Sequence, residues 1–205
     1  MLGTVRTRQS THPPVHARDL EDVVLQDDEG RDVRLGDLWQ EQAVALILLR
    51  HYGCVFCRQH AVQLHRARRA FEAAGVRLVV TGQGTPSMAA EFRDAQSIEL
   101  PLLVDPDRLA YPLAGTKVAT LDELYAPRIL LRGLKHTLLS RLRQGSIAVN
   151  PGPILGHNGQ LGGVLIIATD GSVRYAHLSK DASDNPPTRE VLAAARAIRP
   201  RAATS

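Results

Sequence analysis

Cysteine is scarce in this sequence: two of the 205 residues are cysteines, Cys54 and Cys57. A small secreted protein stabilised by disulfides usually carries several cysteines spread along the chain. The two cysteines here lie together, so the sequence argues against a disulfide scaffold. We expect them to carry out chemistry or to bind a metal ion.

Long apolar runs are also missing, since no stretch approaches the roughly 18 to 20 apolar residues that a transmembrane helix requires. The segment from Met1 to Pro14 contains arginines but lacks the apolar core of a signal peptide. We therefore expect no transmembrane segment and a cytoplasmic location. Hydrophobic residues make up 44% of the chain and charged residues 22%, a composition that excludes wholesale disorder.

Acidic residues are absent from Tyr125 to Thr169, although the whole chain has a net charge of only +4. Five basic residues fall in this region: Arg128, Arg132, Lys135, Arg141 and Arg143. Leucines interleave with them, which predicts a basic amphipathic helix over 122–143, inside an insertion of about 117–145. This helix is either a solvated face or a contact surface for an anionic partner or a second subunit.

The hydrophobic pattern elsewhere alternates between strands and helices. Buried strands are predicted at 43–49, 76–81 and 100–104, with helices at 54–74 and 86–95 between them. This order places parallel strands side by side with helices on the faces of the sheet.

Two hairpins and a final helix complete the prediction. The first hairpin covers about 23–35, and the second turns at Asp170-Gly171 between strands 164–168 and 173–177. A closing helix is expected at 187–198. We predict an α/β fold: a thioredoxin-like sandwich whose mixed central sheet is flanked by helices, with a helical insertion before the C-terminal hairpin. One domain is expected at 19–199, with flexible tails at 1–18 and 200–205.

The two cysteines follow a buried strand and a glycine, and they begin a helix. A helix N-terminus carries about half a positive charge, which stabilises a thiolate. We therefore predict a lowered pKa for Cys54 and a higher one for Cys57, which lies one turn further along. Cys54 would attack, and Cys57 would resolve the product as an intramolecular disulfide. Four neighbours are expected to support this chemistry: Arg50, His51, Arg58 and His60.

Two other interpretations of the cysteines are open. They could be small buried apolar residues without reactivity. Alternatively, Cys54, Cys57, His60 and His65 could bind zinc, although structural zinc sites usually take their ligands from two separate segments. We predict no metal, with the histidines exposed on the helix and His51 or His60 exchanging protons with Cys54.

Three segments resemble the peroxiredoxin-like branch of the AhpC/TSA superfamily, which has a thioredoxin fold. They are 49–58 around the cysteines, 103–108 with its Asp-Pro-Asp, and 160–164 before the second hairpin. The resemblance covers roughly residues 20–198. It implies an oxidoreductase that reduces a peroxide or a disulfide and is itself reduced by an external thiol, either a thioredoxin-like protein or a small thiol.

The chain departs from the family pattern at two places. Peroxiredoxins carry a proline and a threonine or serine ahead of the attacking cysteine, where this chain has Ile47 and His51. Thioredoxins present a cis-proline before a late strand, where this chain has Gln160, Leu161, Gly162 and Gly163. We expect Gln160, Gly162 and Gly163 to form a substrate-docking loop, because glycines permit close approach.

The leading hypothesis is thus a thiol-dependent oxidoreductase with no cofactor and no nucleic-acid partner, and homodimer formation is left open. The alternative from another class is a non-catalytic thioredoxin-fold binding module that uses the basic helix at 122–143. Peroxide and disulfide substrates are not distinguished by the sequence.

Overall fold

The computed structural model describes residues 16–120 and 159–198. In this part of the chain seven strands form one sheet: β1 (Val24–Asp27), β2 (Asp32–Arg34), β3 (Ala43–Leu48), β4 (Val76–Gly82), β5 (Leu102–Val104), β6 (Gly163–Ile167) and β7 (Val173–Leu178). The helices are α1 (Arg18–Glu21), α2 (Val55–Arg66), α3 (Arg68–Ala73), α4 (Pro86–Gln96), α5 (Ala110–Leu113) and α6 (Thr188–Arg196). A 3-10 helix covers Leu35–Trp39.

The strand order in the sheet is β2-β1-β5-β4-β3-β6-β7. Strands β3, β4 and β5 run parallel, whereas β6 lies antiparallel to β3 and β7 to β6. Parallel neighbours need a crossover connection, which α2 and α3 supply between β3 and β4, and α4 between β4 and β5. The predicted thioredoxin-like arrangement, a mixed sheet flanked by helices, is confirmed.

Strand β3 is buried along its whole length. Ala45 and Ile47 pack in one core together with both cysteines, while Val44, Leu46 and Leu48 face a second core on the other side of the sheet. Burial on both faces explains why β3 is a continuous apolar run in the sequence. The run places β3 in the interior of the sheet, between β4 and β6, and the loop that carries the cysteines leaves from its carboxyl end.

Both predicted hairpins are present. Strands β1 and β2 pair antiparallel across a turn in which Gly30 has a φ of +82°. Strands β6 and β7 pair across Asp170-Gly171, where Gly171 has a φ of +75°. Positive φ is accessible to glycine without steric cost, so both turns require it.

The single helix predicted from Cys54 to the residue before Gly75 is instead two helices, α2 and α3, which meet at Ala67. The Ala67 N–H donates to the Leu64 carbonyl at 3.0 Å, three residues back rather than four. A bond of this type tightens the last turn and ends the α-helix.

His65 and His60 were predicted to be exposed, and both are buried. The ring Nε2 of His65 accepts the backbone N–H of Glu99 at 3.2 Å. His65 lies off the apolar stripe of the predicted helix, so the sequence pattern placed it on the solvent-exposed side. The pattern cannot show that Glu99, 34 residues away in sequence, contacts this side.

Part of the predicted N-terminal tail belongs to the packed fold. Ala17 is buried, and its N–H donates to the Gly171 carbonyl at 2.8 Å. The predicted basic helix at 122–143, and with it the insertion beyond residue 120, lies outside the described residues, as do 1–15 and 199–205. Between 16 and 120 and between 159 and 198, no helix is long and apolar enough to cross a membrane.

Candidate functional site

Cys54 stands at the junction between the end of β3 and the start of α2. It is the N-cap residue of α2, with an extended backbone (φ −75°, ψ 118°), and its N–H donates to the His51 carbonyl at 3.1 Å. Cys57 lies in the first turn of the helix. Both thiols are free, and both are buried, with 6% of Cys54 and 3% of Cys57 exposed.

Arg50 contacts both sulfurs. Its backbone N–H donates to Cys57 Sγ at 3.4 Å, and its guanidinium Nη1 lies 3.9 Å from Cys54 Sγ. The guanidinium Nε–H also donates to the Gln160 carbonyl at 3.3 Å. One residue therefore places a positive charge beside Cys54 and a backbone dipole beside Cys57.

The two thiols have opposite pKa shifts. A hydrogen bond from the Cys57 thiol lowers the pKa of Cys54 to about 6, with further help from the Arg50 charge, and this outweighs the opposing effect of burial. The same hydrogen bond and burial raise the pKa of Cys57. Cys54 is thus the thiolate and Cys57 the neutral donor at neutral pH.

The directions of both shifts agree with the prediction, but their main cause differs from the predicted one. The lowering comes first from the Cys57 thiol and then from the Arg50 charge, and a hydrogen bond from the backbone N–H of Cys57, in the first turn of α2, lowers the pKa further.

The other predicted supporting residues, His51, Arg58 and His60, differ in burial and in the groups they lie beside. Burial and the Arg50 charge lower the pKa of His51 to about 4, and burial with the nearby His177 lowers the pKa of His60 to about 4. Both imidazoles are therefore neutral at pH 7. Arg58 is half-buried, with its guanidinium carbon 5.4 Å from the centre of the Phe92 ring, a cation–π contact.

The predicted docking loop is buried. Gly162 lies against β3, where an added Cβ would come within 1.9 Å of the Leu48 carbonyl oxygen, and a Cβ on Gly163 would come within 2.5 Å of the His177 carbonyl oxygen. The close approach that these glycines permit is therefore to the protein's own strands. Gln160 turns its side chain inward, with 1% exposed. Substrate docking at this loop stays a prediction.

One contributor that the sequence did not reveal is Gln83. Its side-chain Nε2 donates to the Arg50 carbonyl at 2.6 Å, and its backbone carbonyl accepts the Tyr52 N–H at 3.4 Å. Gln83 directly follows β4, the parallel neighbour of β3. Because parallel neighbours end at the same edge of a sheet, a polar residue just after β4 is a signal that could have identified it.

Zinc ligation finds no support in the geometry of the described residues. No three side chains of His, Cys, Asp or Glu converge there to hold a metal ion. Of the four candidates weighed from sequence, His65 is occupied by the Glu99 N–H.

The family model for "AhpC/TSA antioxidant enzyme" matches residues 63–181, more than half of the chain. The match begins after Cys57, so it does not include the two cysteines. Zebrafish prostamide/prostaglandin F synthase is 29% identical over 166 residues, covering 80% of this chain and 80% of the relative. Human peroxiredoxin-like 2C is 28% identical over 183 residues, covering 87% of this chain and 79% of the relative.

A solved structure has the same fold. Peroxidoxin BcpB from Mycobacterium tuberculosis superposes with a TM-score of 0.64 at 19% identity, covering 92% of this chain and all of that one. The buried thiolate and the match to the family model agree with the resemblance found in the sequence. The chain belongs to the AhpC/TSA antioxidant enzyme family and is a peroxiredoxin-like oxidoreductase of thioredoxin fold.

Proposed function

We propose that this protein reduces small hydroperoxides with Cys54 as the attacking thiolate and Cys57 as the resolving thiol. The observation that carries the proposal is the contact of Arg50 with both sulfurs at the start of α2: its guanidinium Nη1 lies 3.9 Å from Cys54 Sγ, and its backbone N–H donates to Cys57 Sγ at 3.4 Å. The Cys57 thiol and the Arg50 charge both lower the pKa of Cys54. An ionised thiol beside its own hydrogen-bond donor is suited to a two-step dithiol reaction.

In the first step the Cys54 thiolate attacks one peroxide oxygen, and the O–O bond breaks. This gives Cys54 sulfenic acid and an alkoxide or hydroxide, which takes up a proton and leaves as alcohol or water. In the second step the Cys57 sulfur attacks Cys54, the S–S bond forms, and the hydroxyl leaves as water with the Cys57 proton. Two external thiols then reduce the disulfide and are themselves oxidised to a disulfide.

Burial favours a peroxide over a protein disulfide as substrate. With 6% of Cys54 exposed, a second protein has little of the sulfur to contact, whereas a small peroxide needs only a narrow path. The reductant must also reach the oxidised pair, and by the same reasoning a low-molecular-weight thiol fits better than a thioredoxin-like protein. A reducing compartment such as the cytoplasm would supply such a thiol.

The test uses the tryptic peptide His51–Arg58, which contains both cysteines. After one equivalent of hydrogen peroxide or cumene hydroperoxide, we expect this peptide to lose two hydrogens in the wild type and to stay unchanged in Cys54→Ser. Stopped-flow measurement should show peroxide consumption far faster than that of free cysteine. A rate equal to that of free cysteine, together with rapid reduction of a small aromatic disulfide, would instead establish a disulfide reductase.

A further inference from the structure

Hydrogen bonds that take no part in the proposed reaction fix both the backbone next to Arg50 and its guanidinium. On one side, the backbone just before it is fixed by a buried tyrosine, because the Tyr111 hydroxyl donates to the Leu49 carbonyl. Thr116 extends this contact, since its hydroxyl donates to the Tyr111 carbonyl at 2.9 Å. All three residues are buried.

Gln160 supplies the other side. Its Nε2 lies within hydrogen-bond distance of the Thr116 hydroxyl oxygen (2.9 Å), the Leu161 carbonyl (3.0 Å) and the Lys117 carbonyl (3.2 Å), and its two N–H groups are shared among these three acceptors. Its own backbone carbonyl accepts the Arg50 Nε–H. These contacts form a hydrogen-bond network that links Leu49, through Tyr111, Thr116 and Gln160, to the guanidinium of the next residue, Arg50.

The loop that carries Gln160 is also tied by its backbone. The Leu161 N–H donates to the Lys117 carbonyl at 3.0 Å, and the Ala119 N–H donates to the Gly159 carbonyl at 2.6 Å. These two bonds flank a bridge between Val118 and Gln160. The carbonyl that receives Arg50 is thus part of a fixed structure and not of a free loop end.

We propose that Gln160 and Thr116 are positioning residues that keep the Arg50 guanidinium beside Cys54 and so keep that thiol ionised. An arginine side chain has many rotamers, and holding one of them costs conformational entropy. The bond from Nε to Gln160 selects the rotamers in which Nη1 points at Cys54. The proposal rests on the proposed role of Cys54 as the attacking thiolate.

The test measures the ionisation of Cys54 directly in the full-length reduced protein. The protein is treated with iodoacetamide across a pH series, and alkylation of Cys54 is quantified in the peptide His51–Arg58 from its fragment ions. The wild type should reach half its maximal rate near pH 6. In Gln160→Met, which keeps the chain length but removes the amide, we expect this midpoint to rise by about one pH unit.

Thr116→Val tests the same hydrogen-bond network at the other proposed positioning residue, and it should raise the Cys54 midpoint as Gln160→Met does. Thr116→Ser keeps the hydroxyl, so it should have the wild-type midpoint. Thr81→Val is the matched control. Thr81 is buried, and its hydroxyl has no hydrogen-bond partner among the described residues. This control removes a buried hydroxyl from the neighbouring strand and should leave the Cys54 midpoint unchanged.

A double variant decides whether the effect passes through Arg50. In an Arg50→Met background trypsin no longer cleaves after residue 50, so alkylation of Cys54 is quantified in the longer peptide 35–58. In this background Gln160→Met should add no further shift. The proposal is overturned if Gln160→Met and Thr116→Val are folded with a wild-type midpoint, or if they shift the midpoint equally without Arg50. Since alkylation needs no peroxide, a positive result together with a failed peroxidase assay would retain the positioning role and reject the proposed substrate.

Discussion

The guanidinium of Arg50 lies 3.9 Å from the sulfur of Cys54, and this contact leads to the first prediction. Replacing Arg50 by methionine removes the positive charge while keeping an unbranched side chain. The pKa of Cys54 should rise by roughly one to two units, because burial of the thiolate is then less compensated. The rate of alkylation at pH 6.5 should fall with the thiolate fraction, by about three-fold for a shift of one unit and about 25-fold for a shift of two.

Arg50→Lys is the control for charge alone. It keeps the positive charge but loses the Nε–H that donates to Gln160. We expect a midpoint between those of the wild type and Arg50→Met. If the lysine and methionine variants behave alike, the geometry of the guanidinium matters more than its charge.

The second prediction separates the two roles of Cys57. In Cys57→Ala the thiol donor and the resolving sulfur are both lost, so the pKa of Cys54 should rise and peroxide should leave Cys54 as a sulfenic acid. Trapping with dimedone and mass spectrometry of the intact protein would detect that acid. In Cys57→Ser the hydroxyl can still donate, so the rise in pKa should be smaller while resolution is lost completely.

A wild-type pKa for Cys54 in Cys57→Ala would contradict the assignment of Cys57 as the principal cause of the shift. Equal sulfenic acid in the two variants is expected, because neither can form the disulfide. Comparing the two variants therefore separates the effect of Cys57 on the pKa of Cys54 from its role in forming the disulfide.

The sequence predicted the position of the site better than its surroundings. The apolar run of β3, Gly53 and the following helical stripe were enough to place Cys54 at the start of a helix, because each is a local signal. The contacts of Arg50 with Gln160 and of His65 with Glu99 were not predictable. They join residues separated by 110 and 34 positions, and only the fold brings them together.

Long-range contact also explains the error over burial. His60 was predicted to be exposed because it is a polar residue on a helix. In the fold it is 4% exposed, and its Nε2 has no hydrogen-bond partner among the described residues. The polarity of a residue on α2 therefore did not predict whether other parts of the chain would bury it.

The third prediction concerns the effect of pH on stability through His60. Its pKa is about 4 in the fold against 6.5 for the free group, so the unfolded chain binds the proton more readily. The stability that depends on neutral His60 is complete above pH 6.5 and is lost as pH falls from 6.5 through 4. The loss is on the order of 3 kcal/mol at most.

Chemical unfolding of wild type and His60→Leu at pH 7, 6, 5 and 4 would measure this. The unfolding free energy of the variant should decline less steeply as the pH falls. At pH 7 the variant should lose at most about 1 kcal/mol of stability, because the ring nitrogen that it removes has no partner among the described residues. Parallel curves for the two proteins would show that His60 does not carry the acid sensitivity.

The last prediction tests the packing of the loop that carries Gln160. Gly162 lies so close to β3 that a Cβ would come within 1.9 Å of the Leu48 carbonyl oxygen, and the obstacle is backbone that cannot rotate away. Gly162→Ala must therefore separate β6 from β3 at this point, and it should lower the unfolding free energy by more than about 3 kcal/mol.

Gly53→Ala is the control, because its Cβ would meet only the His51 ring at 3.3 Å. We expect this second substitution to leave stability within about 1 kcal/mol, because a side chain can shift by a few tenths of an ångström where a strand cannot. Equal stability of the two variants in urea unfolding would mean that β3 and β6 do not pair as closely as the structure has them.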